Sequence, residues 1–211
     1  MDTLLIATGN PGKREEMAAI LGSLPIRLAL PGDLGLQVSV TESGQTYAEN
    51  AALKALGYFA ASRAARPEGL LTLADDSGLE VDALGGEPGL YSARYAPQPG
   101  ATDADRRAYL LERLAGKPRS GQPGWRARFR CWVAVTGPGV PMTLFEGSVE
   151  GLVIPEERGS GGFGYDPIFW LPEYGQTMAE LGPEIKNQIS HRARALQAAL
   201  PFLRQVLAGS A

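Results

Sequence analysis

The chain has 211 residues, 44% of them apolar and 20% charged, and its twenty basic and twenty-three acidic side chains give a formal charge of −3. This is the composition of a folded globular chain, which excludes disorder, and it lacks the basic excess of a general nucleic-acid binder. No apolar run approaches the roughly 18 residues that span a bilayer, the opening MDTLLIATGNPGK with Asp2 has no signal-peptide pattern, and the lone Cys131 has no partner for an internal disulfide, so a cytoplasmic chain without membrane contact is expected.

Thr3 to Thr8 reads as a short buried strand, and Gly9-Asn10-Pro11-Gly12 as a turn with Asn10 as N-cap and Pro11 in the first helical turn. The helix that follows is predicted to reach Leu24, with Met17, Ile20, Leu21 and Leu24 on one face. Ile26 to Leu30 reads as a second strand, and 31–44 as a loop with a short strand near Val38. Thr46-x-x-Glu49 is a capping-box pattern opening a long, Ala-rich helix that ends before Pro67. Leu70 to Ala74 is predicted as a strand that stops in an Asp75-Asp76-Ser77-Gly78 turn, with another short strand at 80–84.

A Gly/Pro-punctuated loop covers 85–100, and Thr102 caps a helix over 103–114. Pro118 to Gly124 reads as a linker, and Ala127 to Thr136 and Met142 to Val153 as an antiparallel pair. Gly159 to Pro167 is a glycine-rich loop, and a last helix runs from about Ser190 to Leu207, with Pro201 expected to kink or break it. Alternating strands and helices early, with antiparallel strands later, predict an α/β fold with a mixed sheet, the Pro/Gly-rich segments marking an inserted second lobe with a cleft between.

Several segments carry residue types suited to chemistry. Thr8-Gly9-Asn10-Pro11-Gly12-Lys13 runs from a strand through a glycine turn into a helix whose free N–H groups and lysine suit a phosphate. It is not a Walker A loop, because Ala7 and Arg14 replace the required Gly and Ser/Thr. The adjacent carboxylates Asp75 and Asp76 suit a divalent metal or a general base, one carboxylate raising the pKa of the other. Glu42, in a loop, is free to reach a metal, while Asn50 and Lys54 share a helix face. With His191 the only histidine, any metal is held by oxygen, which points to Mg²⁺ or Mn²⁺. Phe163 and Tyr165 offer flat faces to a base and Asp166 offers acceptors, and Pro167 excludes the dinucleotide reading of the Gly159–Gly164 stretch. Lys186 and the His191-Arg192 pair complete the candidates, the pair sitting at a helix N-terminus where cations oppose the dipole unless an anion or electron-rich group is near.

Together the stretches ATGNPGKREEM, ESGQTYAENAALKA, ADDSGLEVDALGGEPGLYSARYA, GSGGFGYDPIF and IKNQISHRARAL closely resemble the inosine/xanthosine triphosphate pyrophosphatases, or non-canonical purine NTP pyrophosphatases. They occur in that family's order and cover nearly the whole chain; Tyr47, where the family often has Phe, and Pro201 are small departures. The resemblance implies one nucleoside-triphosphate pyrophosphatase domain over 1–211, a homodimer with an elongated mixed sheet and two lobes. It implies a Mg²⁺-dependent hydrolase that splits ITP, dITP or XTP into monophosphate and pyrophosphate. By the same resemblance Thr8, Gly9, Asn10, Pro11, Gly12 and Lys13, with Lys54, bind the triphosphate, and Ser77 contacts substrate. Glu42 and Asp76 hold the metal, Asp76 also accepts a proton with Asp75 beside it, and Phe163, Gly164, Tyr165, Asp166, Lys186, His191 and Arg192 surround base and sugar.

Water must lose a proton as it attacks phosphorus, so Glu42 and Asp76 are expected to position it and Asp75 to share the proton. Donors of His191 or Arg192 aimed at the purine C6 oxygen would select hypoxanthine and xanthine over adenine. Two rival readings are a pyrophosphatase for other modified nucleotides and a nucleotide sensor without turnover.

Overall fold

The computed structural model describes residues 3–119 and 123–209. The middle of the expected linker, Ser120 to Gln122, lies outside the described residues. No helix among the described residues is long and apolar enough to cross a membrane.

The elements follow the predicted order, with instructive differences. Strand β1 (Thr3–Ile6) leads to helix α1 (Pro11–Leu21), where Asn10 accepts a hydrogen bond from the Lys13 N–H at 3.1 Å and Pro11 occupies the first turn. After β2 (Arg27–Ala29) the stretch near Val38 forms no strand. Helix α2 (Tyr47–Ser62) is capped by Thr46, whose hydroxyl accepts from the Glu49 N–H, but the Glu49 carboxylate reaches the Gln45 N–H instead of closing the reciprocal box.

Strand β3 (Leu71–Val81) departs from expectation, because it does not stop at Ala74 but runs straight through the acidic pair. The expected strand at 80–84 is the end of β3 followed by a 3-10 turn over Asp82–Leu84. Helix α3 (Asp103–Leu114) carries a complete capping box between Thr102 and Asp105. The hairpin of β4 (Trp125–Gly137) and β5 (Val140–Val153) is longer than predicted, and its two-residue connection permits only an antiparallel pairing. Two short strands, β6 (Phe169–Leu171) and β7 (Gln176–Thr177), and helix α4 (Pro183–Ile189) precede α5 (His191–Ala208). α5 passes Pro201 unbroken, since Pro201 lies on the exposed side and the buried stripe of Leu196, Ala199 and Leu203 is untouched.

The strands hydrogen-bond in the order β2-β1-β3-β4-β5-β6-β7. β1 is parallel to β2 and β3, while β6 is antiparallel to β5 and β7, so the sheet is mixed. The chain divides into two compact units. One takes the described residues of Met1–Asp76, Cys131–Gly147 and Arg192–Ala211, and the other takes those of Ser77–Arg130 and Ser148–His191.

In the first unit the two-residue period of the strands sorts the core onto two faces. Leu71 and Leu73 of β3 share a face with Leu4 and Ile6 of β1 and Cys131, Val133 and Val135 of β4, covered by Met17 and Leu21 of α1 and by α5. On the other face Ala74 and Ala134 meet Ala51 and Ala55 of α2, with Ala7. The alanines that blurred the core stripe of this helix in the sequence are what let it approach the sheet closely. Ala55→Leu is therefore expected to overpack this contact, costing about 1–3 kcal/mol and lowering the thermal midpoint by several degrees, which calorimetry on the variant checks. In the second unit a separate core joins Leu79 and Val81 of β3, Leu110 and Leu114 of α3, Phe129 of β4, Val149 and Val153 of β5, and Phe169 and Leu171 of β6.

Candidate active site

Because β3 continues through Asp75 and Asp76, the two carboxylates point to opposite faces of the strand. Asp75 falls on the face of α1 and α5. Its Oδ2 accepts from Lys13 Nζ at 2.9 Å and Arg192 Nε at 3.2 Å, with Cys131 Sγ at 3.8 Å. Arg192 also pairs through Nη1 with Glu16 on α1, and it is 1% exposed. Asp76 falls on the face of α2. Asn50 Nδ2 donates to its Oδ2 at 3.2 Å and Lys54 Nζ to its Oδ1 at 3.1 Å. Asn50 and Lys54 are four residues apart on the helix, so one face delivers both donors to one carboxylate. The ammonium of Lys54 also lies 3.4 Å from Glu42, and Asn50 Oδ1 accepts from the Gly44 N–H, which fixes the loop behind Glu42.

The opposite faces correct one expectation: Asp75 and Asp76 are not a pair sharing a proton. Their electrostatics diverge for the same reason. Burial alone would push Asp75 up, but Lys13, Arg192 and Lys54 outweigh it and hold its carboxyl well below the usual carboxylate range. Burial pushes Asp76 up and prevails over Lys54 and Lys13, with neighbouring Asp75 only a small contribution in the same direction. Burial acts to lower Lys54, yet Asp75, Asp76 and Glu42 outweigh it and keep the ammonium charged. Burial also acts against the charge on Arg192, and Asp75 and Glu16 overcome it. Burial above all raises the Cys131 thiol, so it stays protonated against Asp75.

Glu16 was not among the sequence candidates, although its spacing held a clue. It lies three residues after Lys13 and directly before Met17, which places a carboxylate at the edge of a buried stripe where a cation must answer it. Glu16, Glu42, Asp75 and Asp76 against Lys13, Lys54 and Arg192 leave the cluster one negative charge. Its cations are already committed to carboxylates. A polyanion would meet it most readily together with a divalent cation.

No group of three or more His, Cys, Asp or Glu side chains among the described residues forms a ready cage for a metal. Two carboxylates, Glu42 and Asp76, converge on the single ammonium of Lys54. An all-oxygen pair of this kind fits Mg²⁺ or Mn²⁺, which is bound through one or two carboxylates with water and substrate phosphates filling the remaining positions. The start of α1 adds an exposed turn, Gly9-Asn10-Pro11, with Thr8 Oγ1 accepting from the Asn10 N–H at 3.2 Å.

The remaining candidates lie in the second unit, apart from Arg192. Lys186 on α4 and Asp166 are both buried, their Nζ and Oδ2 2.5 Å apart, and Oδ2 also accepts from the Phe163 N–H at 2.9 Å. Lys186 Nζ sits 5.0 Å from the Phe163 ring centroid. Gly162 has φ +71°, and a Cβ there would fall 2.1 Å from Asp166 Oδ2 and 2.9 Å from Lys186 Nζ, so only glycine fits beside this pair. Tyr165 is buried rather than presented, its hydroxyl donating to the Ser92 carbonyl at 2.9 Å. His191 stacks on Phe129 with centroids 4.6 Å apart and planes 13° from parallel. Ser77 continues β3 directly after Asp76 and is half-buried.

The model of the Ham1 family matches residues 4–202. A dITP/XTP pyrophosphatase of Desulforamulus reducens is 46% identical over 203 residues, covering 96% of this chain and 96% of the relative. One from Geobacillus kaustophilus is 48% identical, covering 93% and 91%. Among solved structures, a HAM1 protein from Coxiella burnetii aligns with TM-score 0.79 at 38% identity, covering 99% of this chain and all of the other.

Proposed function

The chain belongs to the Ham1 family, and we propose that it hydrolyses the α–β phosphoanhydride of non-canonical purine nucleoside triphosphates, namely ITP, dITP and XTP, releasing the monophosphate and pyrophosphate. The observation that carries this reading is the charged array of the first unit, in which Lys13, one turn into α1 after an exposed glycine turn, answers Asp75, and Lys54 answers both Asp76 and Glu42. Its sequence relatives named dITP/XTP pyrophosphatase support the substrate class.

In this reading Thr8 to Lys13 receive the triphosphate, with backbone N–H groups at the helix start and the Lys13 ammonium as counter-charges. Glu42 and Asp76 would hold Mg²⁺, which when bound neutralises phosphate charge and eases departure of pyrophosphate. Asp76 takes the proton of the attacking water. Asn50 and Lys54 fix the plane of its carboxylate. Asp75, held ionised, anchors Lys13 and Arg192 and does not carry the proton. The purine is assigned to Phe163, with Asp166, Lys186 and His191 as the polar groups that would recognise it. Arg192, with its Nε and Nη1 directed to Asp75 and Glu16, acts as a positioning residue. The reading includes a homodimer, which sedimentation of the purified chain checks.

A steady-state panel of ITP, XTP, dITP, ATP, GTP and dUTP tests the reading. Pyrophosphate release is expected to favour the first three, to stop with chelator and to return with Mg²⁺. Glu42→Gln is expected to raise the half-saturating Mg²⁺ concentration by at least about tenfold. Tight ITP binding with no pyrophosphate released would make the chain a sensor, and preference for dUTP would assign it to another class of modified nucleotides.

A further inference from the structure

Helix α3 contributes nothing to the chemistry described so far, yet its first two turns hold the loop that bears Phe163 and Asp166. The Gly164 N–H donates to Asp103 Oδ2 at 2.7 Å, and the Gly164 carbonyl accepts from Arg107 Nη1 at 2.8 Å. Asp103 and Arg107 are four residues apart, so one face of one helix grips both hydrogen-bonding groups of a single loop residue. Each clamp arm is itself braced. Arg107 makes a two-pronged pair with Glu157 at 2.8 and 2.9 Å, and Asp103 pairs with Arg106, which also donates to the Ala101 carbonyl at 2.6 Å. Burial acts to raise the Asp103 carboxyl, but hydrogen bonds from Arg106 and the Gly164 N–H outweigh it, so the acceptor stays charged.

The loop needs such a brace. Gly159, Gly161, Gly162 and Gly164 leave its backbone with many alternatives, and Gly164 itself sits at φ +62°. One residue earlier, the Phe163 N–H is fixed on Asp166, whose N–H returns to the Phe163 carbonyl at 3.2 Å. The peptides on both sides of the Phe163–Gly164 bond are thereby set, and with them the direction in which the Phe163 side chain leaves the loop backbone.

We propose that Asp103 and Arg107 are positioning residues for purine binding, acting through Gly164 to hold the Phe163–Asp166 loop in its binding geometry. This rests on the reading that the loop receives the purine. The test is calorimetric binding of two probes, inosine monophosphate for the purine end and inorganic tripolyphosphate for the phosphate end. The set is wild type, Arg107→Ala, Arg107→Lys, Asp103→Ala and, as reference, Phe163→Ala. Arg107→Ala and Asp103→Ala are expected to weaken inosine monophosphate about tenfold or more and to leave tripolyphosphate within about twofold, and in turnover to raise KM for ITP more than they lower kcat. Arg107→Lys, which keeps the charge without the fork, is expected to recover part of the loss. A merely structural role would shift melting without separating the two probes. If Phe163→Ala weakens inosine monophosphate while both clamp variants bind it normally, or if the clamp variants lose both probes equally, the clamp is wrong. If Phe163→Ala also binds inosine monophosphate normally, the purine reading of the loop fails and the proposal falls with it.

Discussion

Asp76→Asn is expected to lower kcat for ITP by roughly 10²- to 10⁴-fold, the range for losing a positioned general base, while the folded state persists. The carboxylate stands on a central strand with both oxygens occupied, one by Asn50 and one by Lys54. Asparagine keeps the size and one acceptor, so Lys54 retains a partner. What disappears is the negative charge and the capacity to accept a proton. Burial acts to raise the Asp76 carboxyl, while Lys13 and Arg192 hold Asp75 ionised, so the water proton is assigned to Asp76. Asp75→Asn makes the informative contrast: it leaves Lys13 and Arg192 short of a counter-charge, and its first effect is expected in stability. Pyrophosphate release and melting, measured side by side on both variants, separate the roles. Near-normal turnover by Asp76→Asn would remove Asp76 from the chemistry.

Arg192→Ala is expected to cost about 3–5 kcal/mol of stability, the usual penalty for removing one partner of a buried ion pair. The side chain is 2% exposed, and its guanidinium answers two carboxylates, Asp75 and Glu16, that are themselves buried. The effect should also depend on pH. The Asp75 carboxyl is depressed in the folded chain, so its contribution is complete above the unfolded value of about 4 and is lost as pH falls through the folded value. Without Arg192 the folded value rises toward the unfolded one, so acid unfolding is expected to begin at higher pH in the variant. Denaturant titrations between neutral and acidic pH read both effects. The sequence alone had pointed Arg192 at the purine C6 oxygen. The observed ion pairs predict instead that turnover of ITP and ATP falls together. A variant that kept wild-type stability and lost only its preference for ITP would return the guanidinium to the base.

Much of the architecture was legible from local rules. Asn10, Thr46 and Thr102 mark helix starts because their side chains accept the first N–H groups, and each does so here. The mixed sheet followed from the order of elements. At Asp75-Asp76-Ser77-Gly78 the local preference is for a turn, and the environment overrides it, so β3 runs through. A strand can carry buried carboxylates if each face supplies cations, and Lys13 and Arg192 on one side and Lys54 on the other come from three different helices. No local pattern announces such pairing. The same limit hid the partner of Glu16, 176 residues away in sequence, and the grip of α3 on Gly164, whose helix and loop are 61 residues apart. Pro201 is the converse case: its effect depends on which side of α5 faces solvent, and no local pattern gives that side.

The central claim, that water attacks the α-phosphorus of a purine triphosphate and pyrophosphate leaves, is tested most directly by turning over ITP in ¹⁸O-labelled water. The account predicts inosine monophosphate carrying one labelled oxygen and an equal amount of unlabelled pyrophosphate. Label found in pyrophosphate, or release of orthophosphate in its place, would contradict it.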